Sequence, residues 1–195
     1  MKGKNEQTLV LIKPDGVMRG LIGEIIKRFE RSGLKIIALK MSQPSKDFVA
    51  SHYSGSEEWL RGMGKKALNS FAEYNIDTEK EMGTSDPLEI GRMIQQWNVD
   101  YLSMGPVVAM VIEGTYAITA VRKIIGFTIP AQADVGTIRG DFSIDSNNIA
   151  NVEKRSTKNL IHAAGDEEEA AHEIKHWFSD EELVSYERCD ANVMF

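Results

Sequence analysis

Apolar residues recur along this chain in two rhythms, short unbroken runs and stripes spaced three and four apart. "TLVLIK" (8–13), "LKIIALKM" (34–41) and "GPVVAMVIEG" (105–114) are runs of strand length. The third is apolar enough to lie at the centre of a sheet. Between the first two, "GLIGEIIKRFERSG" places Leu21, Ile22, Ile25, Ile26 and Phe29 on one helical face, with Gly33 as the stop. "TYAITAVRKIIG" repeats that pattern and ends on Gly126. "PDG" after the first run reads as a turn, and Ser45 as the cap of a short helix through His52 and Tyr53. Residues 54 to about 104 are less regular, with helical patches in "EEWLRGMGKKALNSFAEY" and "DPLEIGRMIQQW". "DSNNIANVEKRSTK" is a polar loop and "NLIHA" a short strand. Asp166 caps a helix, "DEEEAAHEIKHWF", whose acidic first turn suits its dipole.

The order is therefore strand–helix–strand, an insert, strand–helix, a loop, and strand–helix. It predicts an α+β sandwich, an antiparallel sheet with helices packed on it, and a ferredoxin-like βαββαβ core. At 195 residues, 42% hydrophobic and 27% charged, the chain suits a single globular domain spanning 1–195. No apolar run approaches the ~20 residues of a membrane span, and "TLVLI" is too short for a signal-peptide core. The single Cys189 fits a reducing, cytoplasmic setting. A net charge of −6 argues against non-specific nucleic-acid binding, yet leaves room for a small anion held by a few local cations.

Two stretches imitate known sites. "HEIKH" (His172 to His176) has the H-E-x-x-H spacing of a zinc hydrolase helix, but no downstream motif supplies a third ligand. "GMGKKA" (62–67) imitates a dinucleotide fingerprint without the preceding strand that fingerprint needs, and reads as a loop in the insert. No G-x-x-x-x-G-K-[ST] occurs.

"IKPDGVMRG" (12–20), "HY" (52–53), "GPVVAMVIEG", "GTIRGDF" (136–142) and "NLIH" (159–162) follow one another with compatible spacing. In that order they resemble the nucleoside diphosphate kinases, from about residue 8 to Cys189. The resemblance implies phosphoryl transfer from a nucleoside triphosphate to a diphosphate, ping-pong, through a phosphohistidine. It makes His162 the nucleophile and Lys13, Arg122 and Arg139 the phosphate-binding cations. Thr128 becomes a phosphate contact, Asn159 the partner of the ribose 3′-hydroxyl, and Tyr53 a residue at the edge of the site. Glu173, eleven residues after His162, takes the place of the glutamate that orients the catalytic ring. The resemblance further implies nucleotides such as ATP, ADP and GTP as substrates, and Mg²⁺ carried on their phosphates with no protein metal site. It implies a homo-oligomer too, a dimer-based tetramer or hexamer.

The chain departs from the family at three points. Ala163, Ala164 and Gly165 replace the usual Gly-Ser-Asp, removing a hydroxyl contact to the glutamate worth roughly 1 kcal/mol. Segments at about 55–103 and 145–158 are longer than the common form and read as insertions. The first obscures the base-stacking aromatic, for which Trp59 is the candidate. Competing readings are an inactive scaffold, a zinc hydrolase and a ferredoxin-like RNA-binding module, the last lacking an RNP-type aromatic strand.

Overall fold

Four strands pair into one antiparallel sheet: β1 (Asn5–Ile12), β2 (Lys35–Ser42), β3 (Val107–Thr115) and β4 (Ile161–Ala163), in the order β2-β3-β1-β4. This is the expected ferredoxin-like order, with β3 inserted between β1 and β2. The computed structural model describes residues 4–191, so the ends of the expected 1–195 domain lie outside the described residues. The helices are α1 (Pro14–Met18), α2 (Ile22–Arg31), α3 (Lys46–His52), α4 (Glu57–Glu73) and α5 (Thr78–Met82). They continue with α6 (Pro87–Ser103), α7 (Ala117–Ile125), α8 (Ile138–Phe142), α9 (Asn147–Val152) and α10 (Glu167–Trp177).

Alternation along the central strands divides the core in two. Val10, Ile12, Val108, Met110 and Ile112 pack on one face against Ile25 and Phe29 of α2 and Val121 and Ile125 of α7. Leu9, Leu11, Ala109 and Val111 pack on the other against Val49 of α3, Leu102 of α6, and Ile174 and Trp177 of α10. Both faces are covered, which is why Leu9 to Ile12 are fully buried without a break.

Three local expectations need correction. "PDG" is the start of α1, because Pro14 occupies a first-turn position whose missing N–H costs nothing. "GMGKKA" lies inside α4, and "DSNNIANVEKRSTK" contains α9, braced by an Arg155–Asp145 pair at 2.5 Å.

Within residues 55–103, α4 and α6 run antiparallel and meet backbone to backbone. A Cβ on Gly64 would lie 1.8 Å from the carbonyl oxygen of Pro87, and one on Gly91 would lie 2.0 Å from that of Leu60. Gly91→Ala therefore has to push the helices apart. The expected cost is about 1–3 kcal/mol, seen as a thermal unfolding midpoint lower by roughly 3–10 °C.

Candidate active site

The sheet register sets the direction of the key histidine. His162 pairs with Leu11, and opposite residues of an antiparallel pair share a face, so its ring points toward α3, α6 and α10. There α10 buries Ala170, Glu173, Ile174 and Trp177, an i, i+3, i+4, i+7 stripe in which a glutamate replaces an apolar residue. The approach to β4 is bent: Leu160 has φ 67°, unusual for a residue with a branched side chain. The bend is held from both sides. The Leu160 N–H donates to Asp15 Oδ2 at 3.1 Å, and its carbonyl accepts from the Lys13 N–H at 2.8 Å.

The Nε2 of His162 lies 2.8 and 2.9 Å from the two oxygens of Glu173. With Glu173 ionised, Nε2 carries the proton and donates it, leaving a lone pair on Nδ1. Among the described residues Nδ1 has no hydrogen-bond partner, and the ring lines the cleft. Burial and the charges of Lys13 and Arg139 push the His162 pKa down to about 3, so the ring is neutral. Burial raises Glu173 to about 7.

Lys13 and Arg139 are buried to 8% and 5% exposure, and among the described residues neither forms a salt bridge, although the Asp15 charge favours protonated Lys13. Lys13 Nζ donates to Asn159 Oδ1 at 2.8 Å, while Asn159 Nδ2 donates to the Thr128 carbonyl at 3.0 Å. Arg139 spends three N–H groups on the carbonyls of Gly126, Asn159 and Ile161, at 2.9, 3.3 and 2.7 Å. Its remaining donors and its charge are open to the cleft. Burial lowers Lys13 to about 7, with a smaller push from Arg139, and burial and the Arg122 charge lower Arg139 to about 10. These depressed values record above all the burial of two cations, with their mutual repulsion and that of Arg122 added.

A cleft of about 1100 Å³ joins all eight residues singled out in the sequence: Lys13, Tyr53, Arg122, Thr128, Arg139, Asn159, His162 and Glu173. Its far walls come from the two longer segments, with Trp59 and Met63 on α4, Asn98 on α6, and Asn151 and Ser156 on or after α9. The Ser156 hydroxyl donates to Asn98 Oδ1 at 2.6 Å, tying the two segments together. Tyr53 stacks on Trp59, centroids 6.1 Å apart and planes 27° apart. His172 is exposed on α10, while His176 donates from Nε2 to the Phe48 carbonyl and stacks on that ring. Among the described residues neither histidine of "HEIKH" hydrogen-bonds Glu173, although His172 lines the same cleft. Sequence reasoning did not single out Asp15 or Trp177, and it read His52 only as part of the "HY" motif. Asp15 sits in "KPDG", where a turn reading accounted for it.

A sandwich of this type, opening a cationic cleft around a histidine–carboxylate pair, is that of a nucleotide phosphotransferase. The family model for nucleoside diphosphate kinase matches residues 6–60 and 90–183. The chain belongs to the nucleoside diphosphate kinase family, whose members move a phosphoryl group between nucleotides. It is 49% identical over 179 residues to the nucleoside diphosphate kinase of Pyrobaculum aerophilum, covering 92% of this chain and 98% of that one. A crystal structure of an NDP kinase from the same organism superposes with a TM-score of 0.91 at 47% identity, covering 93% and 100% of the two chains. A transition-state mimic of the Borrelia burgdorferi enzyme, with bound vanadate and ADP, gives 0.76 at 35% identity, covering 95% and 94%.

Proposed function

We propose that the transfer proceeds by a ping-pong cycle through a phosphohistidine on Nδ1 of His162. The observation that carries this is the division of labour on the ring: Nε2 is held by Glu173 while Nδ1 faces the cleft. Nδ1 attacks the γ-phosphorus in line, the Nδ1–P bond forms, and the P–O bond to the leaving diphosphate breaks with its electron pair. The ring becomes cationic and keeps its Nε2 proton against the Glu173 carboxylate. A second nucleoside diphosphate reverses the step. Lys13, Arg122, Arg139 and Thr128 bind the phosphates and stabilise charge on the transferred oxygens. Asn159, already fixed by Lys13, meets the ribose 3′-hydroxyl. Tyr53 stands at the edge of the site, and Trp59 with Met63 offers an apolar wall to the base, a surface tolerant of many bases.

The donor set fits Mg²⁺ brought on the nucleotide rather than a resident metal. Of the acidic residues lining the cleft, Asp166 accepts from the Glu169 N–H and Glu169 from the Gly165 N–H, and among the described residues no cluster of carboxylates is close enough to share an ion. Mg²⁺ so bound would neutralise phosphate charge.

The single domain carries the two insertions at about 55–103 and 145–158, and the family model's passage over 61–89 supports the first. A homo-oligomer built from dimers, tetrameric or hexameric, is supported by β2. It lies at the edge of the sheet with Leu39 and Met41 exposed. No described helix is long and apolar enough to cross a membrane. The free, exposed Cys189 supports a cytoplasmic setting.

The direct test separates the half-reactions. γ-Labelled ATP alone should label the protein with one equivalent of acid-labile, base-stable phosphate, and added GDP should then release it as labelled GTP. Transfer that requires both nucleotides together would overturn the cycle.

Lys13 adds a pH signature. Its charged form, favoured below about 7 in the free enzyme, is the one that binds phosphate. Binding raises its pKa, so ADP binding takes up a proton and weakens as pH rises above 7, by up to about tenfold per unit. Calorimetry in two buffers of different ionisation enthalpy reads this uptake, and Lys13→Arg should flatten it.

A further inference from the structure

Behind His162, two buried polar groups with unmet hydrogen bonds face each other. Glu173 is 5% exposed, and among the described residues its carboxylate accepts from His162 alone. Buried carboxylates are ordinarily satisfied by more than one donor. The His52 side chain is fully buried, and among the described residues its Nε2 has no hydrogen-bond partner. That nitrogen lies 3.8 Å from Glu173 Oε1, too far for a hydrogen bond and about 1 Å from making one.

Trp177 decides which His52 nitrogen bears the proton. An indole N–H can only donate, and it reaches His52 Nδ1 at 3.3 Å. Nδ1 is therefore an acceptor, and the neutral ring carries its proton on Nε2, toward Glu173. The rings of Tyr53, His162 and Trp177 pack edge-on around His52 at centroid distances of 4.9, 4.9 and 5.9 Å and fix its plane. Burial above all, with a smaller push from the Lys13 charge, holds His52 neutral, its pKa pushed down to about 3.

His52, His162 and Glu173 also place their ligand atoms within 4.8 Å of one another, close enough to hold a metal ion. Ligation through Nε2 of His52 would move the proton to Nδ1, directly against the Trp177 N–H. The tautomer therefore favours a hydrogen-bond chain over a metal cage. Ala164, at the position where the family resemblance expects a serine, is fully buried beside Ile118 and Ala170 and offers no hydroxyl. His52 is the second donor within reach.

We infer that His52 is a positioning residue, closing its Nε2–H onto Glu173 as His162 takes up the phosphoryl group. No proton leaves in this step. The imidazolium keeps its Nε2 proton, His52 stays neutral, and its N–H steadies the carboxylate in the ionised form that the cation requires. The inference rests on His162 as the phosphoryl acceptor.

Nitrogen-15 NMR of the histidines in the unmodified enzyme comes first. A protonated Nε2 on His52 is expected. A protonated Nδ1, or stoichiometric binding of Zn²⁺ alone at His52 and His162, would overturn the inference, and this reading depends on neither catalysis nor a variant that folds. Next, His52→Leu and His52→Gln are compared by pH profile, the glutamine amide restoring an N–H near the Nε2 position. The groups facing Glu173 are His162 from β4, His52 and Tyr53 from α3 and its end, Lys13 after β1, and Asp166, His172 and His176 from α10. Only one changes. The leucine variant should lose about tenfold in kcat, with KM nearly constant and the acid limb moved up by about one unit. Glutamine should recover most of both. An unmoved acid limb in a folded leucine variant, or glutamine no better than leucine, sinks the idea. Failure of the phosphohistidine itself would show separately, as absent labelling with the His52 tautomer unchanged.

Discussion

His162→Ala is expected to take no label from γ-labelled ATP and to lose at least roughly 10⁴-fold in nucleotide exchange. Geometry sets this expectation. Nδ1 is the group at the cleft with a free lone pair among buried cations, and the other three histidines are not so placed. His52 is shielded behind the ring, His176 is bonded to the Phe48 carbonyl, and His172 is exposed on α10. Nucleotide affinity should largely survive, because Lys13, Arg139 and Asn159 are anchored by one another and by backbone carbonyls. Full labelling in the alanine variant, or phosphate recovered only as phosphoserine, would remove His162 from its role.

Glu173→Gln is expected to lower kcat by about 10- to 1,000-fold while leaving KM within a few-fold. A glutamine amide can orient the ring but cannot offset the imidazolium charge. The loss should therefore fall on the step in which that charge forms. His176→Ala is the control, since His176 sits on the same helix but spends its Nε2 on Phe48. Rapid-quench measurement of phosphoenzyme formation separates the two. If His176→Ala proved as damaging as Glu173→Gln, α10 would be acting through "HEIKH" as a whole, and the single-glutamate reading would fail.

The strands were legible because β1 and β3 are buried on both faces, so their sequences needed no alternation to declare themselves. Helix starts were legible where a side chain closes the cap, as Ser45 does for Phe48 and Asp166 for Glu169. The residues that line the cleft were named through resemblance, and Glu173 carried a signal of its own, a charge inside an apolar stripe. Other features depended on partners far along the chain. Gly64 reads locally as loop chemistry, yet it is glycine because Pro87 lies against it. His52 reads as the end of a capped helix, and its tautomer is set by Trp177, 125 positions away. Tertiary contact overrode local propensity at such positions, and no window of a few residues contains both halves of the contact.

The crossing of α4 and α6 has a thermodynamic consequence. Ala67, Phe71, Met82 and Ile90 give this hairpin a small core separate from the two that flank the sheet. Close backbone contact at the glycines couples the two helices, so the pair is expected to open and close as one cooperative unit, less costly to unfold than the sheet. Trp59 and Met63 belong to that unit. A nucleotide seated against them is linked to its closed state and deepens its protection from hydrogen exchange. Slowly exchanging amides in α6, distant from the phosphates, would then report occupancy of the base wall, leaving the strands as the unmoved reference.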